Sequence, residues 1–265
     1  MDGCNISSMV VTCSPPAYWG LGITFTTTEK MTRLAIDLAK LESQLGYPSQ
    51  FGRLGRGMAG GGAPFDAVSD FLRGMRGAMI DMYRCPDKLL TACERIQEWR
   101  FAQAVPATLD ANGNPPRVFM ALHRGSDGFM SKKQFEKFYW PGLKRAILKA
   151  VELGYIAAPF FEGIWDDRLE YLLELPKGKV IFWCERTDVF RAKEVLGDHM
   201  CIQGGVPPTL LQAGSPQDVE EHVKKLIQIV GKNGGLVVGP GSAMDYARPE
   251  NVRAMVESVK KYGSY

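Results

Sequence analysis

Histidine is scarce in this chain. Its 265 residues hold three, His123, His199 and His222, so each can be weighed by its place. Charge of one sign is also scarce: 32 Lys and Arg stand against 29 Asp and Glu, a net +3. So mild a balance excludes nucleic acid and an anionic membrane as expected partners. The six cysteines, Cys4, Cys13, Cys85, Cys93, Cys184 and Cys201, are scattered without a CxxC pair. No secretory signal is expected, because residues 6–13 are too short and too mixed for its apolar core. A disulfide framework is thereby excluded, and reduced thiols in the cytoplasm are expected. No run reaches the roughly 20 apolar residues of a membrane-spanning helix. Gly60-Gly61-Gly62 lacks the strand-then-helix setting of a dinucleotide fingerprint.

What is present is an ordinary globular composition, 45% hydrophobic and 23% charged, at a length that fits one large domain. The stretch KVIFWCERTD (179–188) begins as a strand apolar on both faces, as in a covered parallel sheet. It ends in a thiol, two acids and a base. The pattern recurs. Strands are expected at 117–123, 155–162, 179–184, 199–203 and 235–238, each followed by a helical segment. The first of these helices runs from a capping box, Ser131 with Gln134, to about Gly154. The others cover 166–175, 188–196 stopped by Gly197, a segment opened by Ser215-Pro216, and 249–262. Val219, Val223, Leu226, Ile227 and Val230 make the inward stripe of the fourth. Val252, Met255, Val256 and Val259 make that of the fifth. Alternating strand and helix predicts a parallel sheet with right-handed crossovers. The strand exits HRGSDG, EGIWDDR, CERTD, QGGVPP and GPGSAMD then gather on one face, where active sites of α/β proteins are built.

The first half is less regular. A helix is expected over 28–45, a strand near 51–58, and helices over 64–84 and 86–104. Weak strand signals lie at 9–12 and 21–25.

Position selects the candidate residues. His123 ends its strand, whereas His199 starts one and His222 lies on a helix; the alternative for His123 is a hydrogen-bonded structural residue. Glu162 follows the apolar run Pro159-Phe160-Phe161, which suits a general acid of raised pKa. Otherwise it pairs with Arg124, Arg168 or Arg186. Glu185 and Asp188 are acids at the same kind of tip, and Asp188 also suits a helix cap. Arg124 and Arg186 suit a substrate carboxylate or phosphate, or balance the nearby acids. Cys184 is either a ligand or a small buried hydrophobe. Gly204-Gly205 and Gly239-Pro240-Gly241 form either an anion-binding bay or plain turns.

From about Tyr47 onward the chain resembles the uroporphyrinogen decarboxylase superfamily. The resemblance rests on GGAPFDAVSDFLRG (61–74), DMYRCPDKLL (81–90), GFMSKKQFEKFYWPGLKRAI (128–147), AKEVLGDHMCIQGGVPPTLL (192–211) and GGLVVGPGSAMDYARPENVRAMVESV (234–259). It implies a (β/α)₈ TIM barrel with its site at the carboxyl ends of the strands. It also implies one domain over 1–265, in which 1–46 is an atypical segment and 47–265 the family-matching region. The barrel is expected to be truncated at its N-terminal end, with residues 1–62 giving fewer than three strands. Two departures bear on function. Asp70 stands at the family's tyrosine position and Pro240 at a histidine position. Of the methyltransferases' zinc motif only Cys184 survives, with Ser242 near a second ligand position.

The branch most resembled implies transfer of a methyl group to a thiol, with zinc and a separate corrinoid protein. Cys184, His123 and Glu162 would be the zinc ligands. Glu162, His123, Glu185 and Asp188 would be catalytic, and Arg124, Arg186, Asp70, Gln203 and Ser242 would bind a small-molecule substrate. The alternatives are porphyrinogen decarboxylation, which uses no cofactor and against which the short N-terminal part and the Asp70 and Pro240 departures argue, and a non-catalytic barrel that binds a ligand or a partner subunit, its open edges covered or paired as in a homodimer.

Overall fold

The computed structural model describes residues 61–109, 112–242, 244 and 246–263. The expected elements at 9–12, 21–25, 28–45 and 51–58 lie outside the described residues, as does all but 61–62 of the segment expected to give fewer than three strands.

Five parallel strands lie side by side in chain order: β1 (Arg117–Leu122), β2 (Ile156–Phe161), β3 (Ile181–Cys184), β4 (Cys201–Val206) and β5 (Leu236–Pro240). Each is followed by helix, so the described chain is five consecutive units of a partial (β/α)₈ barrel. Among the described residues three helices precede β1: α1 (Pro64–Ala67), α2 (Met75–Arg84) and α3 (Pro86–Ala102). A π-helical turn, Val68–Leu72, extends α1, and Gly74 at φ +75° then separates it from α2. The single helix expected over 64–84 is therefore two.

The helix after β1 is also interrupted. Ser131 and Gln134 form the expected capping box, and the first turn is Lys132–Gln134. A π turn, Phe135–Tyr139, leads into α4 (Trp140–Glu152). Pro141 explains the break: it has no N–H to close an α-helical bond, and its ring would press on the carbonyl four residues back. The wider π turn gives it room. Gly154, at φ +89°, ends the segment as expected.

The later helices are α5 (Leu169–Leu172), entered through a 3₁₀ turn at Asp166–Arg168, then α6 (Val189–Leu196), α7 (Pro208–Ala213), α8 (Pro216–Ile229) and α9 (Pro249–Tyr262). On α8 the expected stripe is buried at Val219, Val223 and Leu226. On α9 Met255 is buried as expected, but Val256 is 43% exposed, and Asn251 and Ser258 face inward beside Met255. Asn251 is held there because its amide donates to the carbonyls of Leu211 and Gly214.

The sheet's two faces differ. Val118, Met120, Leu122, Phe161, Phe182, Ile202 and Val206 are buried in the core, on the side that the helices cover. The other face carries the row Ala121, Phe160, Trp183, Gln203 and Val237, aligned by strand register. It is only half-buried, and Val237 is 41% exposed. Phe119, Phe160 and Trp183 pack ring against ring on it, with centroids 5.1–6.4 Å apart. The expectation of strands buried on both faces holds for the helix side alone.

Candidate active site

Register decides which tip residues meet. Leu122 aligns with Phe161, and Phe161 with Cys184. One residue further along, His123, Glu162 and Glu185 form the next row. Strand side chains alternate, so this row faces the same way as Ala121, Phe160 and Trp183. Cys184 belongs to the opposite phase.

The structure brings His123 and Glu162 together, with Nε2 3.7 Å from Oε1. The other ring nitrogen, Nδ1, is hydrogen-bonded to Asp70 Oδ2. Asp70 also accepts from Arg124 at 2.7 Å and from Ser69 Oγ at 3.0 Å. Its neighbour one turn back, Asp66, is buried and takes hold of the same two residues through their backbone. The peptide N–H groups of His123 and Arg124 each donate to it at 3.0 Å, and the Tyr139 hydroxyl donates at 2.7 Å. Two acids four apart share a helix face, and the π turn keeps the second within reach of the strand tip.

These contacts set the charges. The bond to Asp70 raises the His123 pKa; burial opposes it, and the charges of Glu162, Asp66 and Asp70 add to the rise. Burial opposes ionisation of Asp70, but the His123 bond and the cations of His123 and Arg124 outweigh it and hold the carboxyl low. Glu162 is raised, by burial first and by the charge of Glu185, with His123 pulling the other way. Burial pushes Asp66 up to about 6 in spite of its hydrogen bonds.

The remaining expected site residues are placed as follows. Glu185 accepts from the Gly163 N–H at 2.6 Å and so closes the turn after β2. Asp188 caps α6, accepting from the N–H groups of Phe190 and Arg191, which gives its carboxylate a structural task. Arg186 is largely exposed, 3.9 Å from Glu185. Gln203 is half-buried in the row below the tips, and Ser242 is half-buried just past β5. The other two histidines bond to backbone carbonyls, His199 to Leu175 and His222 to Gly205, each at 2.7 Å.

Of the residues expected as zinc ligands, Cys184 sits in the opposite phase to His123 and Glu162. Its thiol is buried on the helix side, points at the Gln203 carbonyl 3.6 Å away, and is pushed up by burial to about 12. Thiolate ligation needs the opposite environment. Among the described residues no group of three or more His, Cys, Asp or Glu side chains is placed to hold a metal ion. The glycines near the carboxyl ends of β4 and β5 serve close packing more than an anion bay. A Cβ on Gly204 would lie 2.9 Å from the Cys184 carbonyl, and one on Gly241 2.5 Å from that of Glu185. Gly239 alone of these faces open space.

Sequence reasoning missed Asp66, Tyr139, Gly125 and Trp165. The Asp66–Asp70 spacing was a usable signal, because PFDAVSD puts both acids on one face. Tyr139 was hidden among aromatics that pack the core, and it does both jobs. Gly125 has no room for a side chain between the rings of Tyr139 and Trp165.

Among the described residues no helix is long and apolar enough to cross a membrane. Comparison with known proteins places the chain in a family. The family model for uroporphyrinogen decarboxylase (URO-D) matches residues 57–262. A uroporphyrinogen decarboxylase of Syntrophotalea carbinolica is 22% identical over 209 residues, which cover 76% of this chain and 58% of that protein. One from Helicobacter acinonychis is 27% identical over 183 residues, 67% of this chain and 50% of that protein. The chain thus spans half to three-fifths of the length of these relatives. A solved methyltransferase from Methanosarcina mazei superposes with a TM-score of 0.55 at 18% identity, covering 77% of this chain and 58% of its own, a likeness of fold. The match over most of the chain, on the β/α units that carry the tip residues, makes it a member of the uroporphyrinogen decarboxylase family.

Proposed function

We propose that the chain is an enzyme that decarboxylates a small molecule by proton transfer, with His123 as the acid–base centre. The observation that carries this is the placement of one imidazole between two carboxylates at a strand tip. Asp70 engages Nδ1 and fixes the ring, so that Nε2 is turned to Glu162 and the mouth of the site. Raised basicity favours the protonated ring, the form a proton donor needs. When CO₂ leaves, its bonding electron pair stays on carbon. The Nε2 proton then forms the new C–H bond, and the imidazole regains a proton from Glu162 or from water. The curated relatives carry the name uroporphyrinogen decarboxylase, which makes uroporphyrinogen the first substrate to try.

Methyl transfer through a zinc-bound thiol, with a corrinoid protein as partner, needs a ligand set that Cys184 does not join. The donor set therefore favours proton transfer. The test is incubation with uroporphyrinogen in D₂O. CO₂ release with one deuterium in each new methyl group, abolished in His123→Gln, is expected. No release by the wild type, or release unchanged in His123→Gln, would overturn the reading. So would zinc bound at one per chain with methylcobalamin demethylated by a thiol.

A further inference from the structure

The Asp66 carboxylate is fully enclosed, yet it touches none of the groups that would meet a substrate. Its three hydrogen bonds go to the peptide N–H of His123, the peptide N–H of Arg124 and the hydroxyl of Tyr139. Those two peptides lie just past the last residue of β1, where the ladder to β2 has ended. A buried N–H at such a place needs another acceptor. Asp66 supplies one to both.

We propose that Asp66 is a positioning residue that acts on the site through the backbone of β1's tip, holding His123 and Arg124 as one rigid pair for Asp70 to grip. The inference rests on the reading of His123 as the acid–base centre. The geometry supports it from both ends. Asp70, four residues on, engages the side chains of the same two residues whose backbone Asp66 engages. A chain free to turn at 123–124 could not present both side chains to one carboxylate. Tyr139 fixes Asp66 in turn and is itself locked, because its ring packs against Phe65, Phe135 and Trp165 and leaves no room for a side chain at Gly125.

Amide hydrogen exchange with NMR tests this without any substrate. In the wild type the amides of His123 and Arg124 should exchange as slowly as those inside β1, although they lie beyond it. Fast exchange at both would overturn the proposal. Asp66→Asn replaces one accepting oxygen with an NH₂ that opposes a peptide N–H. It should lose the protection at 123 or 124 and lose the Nδ1 proton signal of the His123–Asp70 bond, while His199 and His222 keep their signals. Tyr139→Phe removes the hydroxyl that fixes Asp66 but leaves both peptide bonds to it, and should weaken the protection and the Nδ1 signal less than Asp66→Asn does. A folded Asp66→Asn that retains the Nδ1 signal would refute the role. So would a Tyr139→Phe that loses both the protection and the signal as fully as Asp66→Asn does, since the hydroxyl rather than the peptide bonds would then hold the tip. Failure of decarboxylation with these signals intact would count against the activity and leave the positioning role standing.

Discussion

At the tips of β1 and β2 the chain places His123, Arg124, Glu162, Asp66 and Asp70, and each is held by a polar partner. At the tips of β4 and β5 it places glycines, and at Gly204 and Gly241 backbone packs on backbone with no room for a side chain between. The two ends of one sheet thus reach order by different means. A polar network tolerates burial only when its members are satisfied. It fixes orientation and shifts pKa values, which is what acid–base chemistry requires. The glycine end fixes shape alone. This is the physical ground for placing the chemistry at β1 and β2.

The comparison breaks if the polar end proves insensitive to loss of a polar tie. The largest expected effect is at Arg168. Its guanidinium donates to the carbonyls of Gly125 at 3.1 Å and Met130 at 2.8 Å, lies 3.3 Å from Asp127, and stacks 4.1 Å from the centre of the Phe135 ring. It therefore ties down the loop that follows His123. Arg168→Met fills the same volume but strands Asp127 and two carbonyls. It should cost about 3–5 kcal/mol in denaturant unfolding, as for one partner removed from a buried pair. A loss below about 1 kcal/mol would mean that packing holds this loop too.

Next comes pH. A group with a raised folded pKa contributes stability below its unfolded pKa and loses it as pH rises through the folded one. Asp66, at about 6 in the fold, therefore favours the folded state as pH falls from about 7 toward 4. The two-unit difference is worth up to about 3 kcal/mol. His123 acts in the same sense at higher pH. Asp70, held low, acts in the opposite sense and costs stability only once pH drops below its ordinary range. The groups around Asp66 are Tyr139, His123 and Asp70, with Cys93 and Arg100 coupled to it more weakly. Unfolding free energy should rise between pH 7 and 5, and Asp66→Asn should flatten that rise. A wild-type profile flat over this range would show that Asp66 is not strained by its burial.

Much of this was legible in the chain. The five strands, the capping box at Ser131, the helix start at Ser215-Pro216, the Asp188 cap and the turns at Gly154 and Gly197 follow from local rules, and local rules act within a few residues. The choice between Cys184 and Glu185 was not legible. Alternation shows that the two face opposite ways, but which one shares a face with Glu162 depends on register between strands 20 residues apart. Asp66 escaped for a related reason, since its partners lie nearly 60 residues away. Asp70 was found only because it departs from a family pattern.

A smaller effect sharpens the glycine side. Gly241→Ala would press a methyl group within 2.5 Å of the Glu185 carbonyl, a backbone atom that cannot swing aside. Overpacking of this kind should cost about 1–3 kcal/mol. Gly239→Ala, two residues away, meets nothing within 4 Å and should change stability by less than about 0.5 kcal/mol. Equal costs at the two positions would show that chain flexibility, not close approach, is what glycine provides here.

A small effect on stability is expected at Glu162, where a large effect on chemistry should accompany it. An ion-pair partner for Glu162 was one alternative, but each arginine named for that role is engaged elsewhere: Arg124 with Asp70, Arg168 with Asp127 and Arg186 with Glu185. Its charged neighbour is His123, at 3.7 Å, and its side chain is 40% exposed. A pair that open to solvent is worth about 0–1 kcal/mol. Glu162→Gln also relieves repulsion from Glu185, so the net change should fall within about 1 kcal/mol of zero. The His123 pKa should fall, because the charge of Glu162 helps to hold it up. Decarboxylation should fall with it, since the ring then carries less of the proton it donates. Melting temperature, the His123 titration and CO₂ release separate the cases. A variant that melts far lower while His123 titrates as before would make Glu162 a structural residue and remove the second carboxylate from the site.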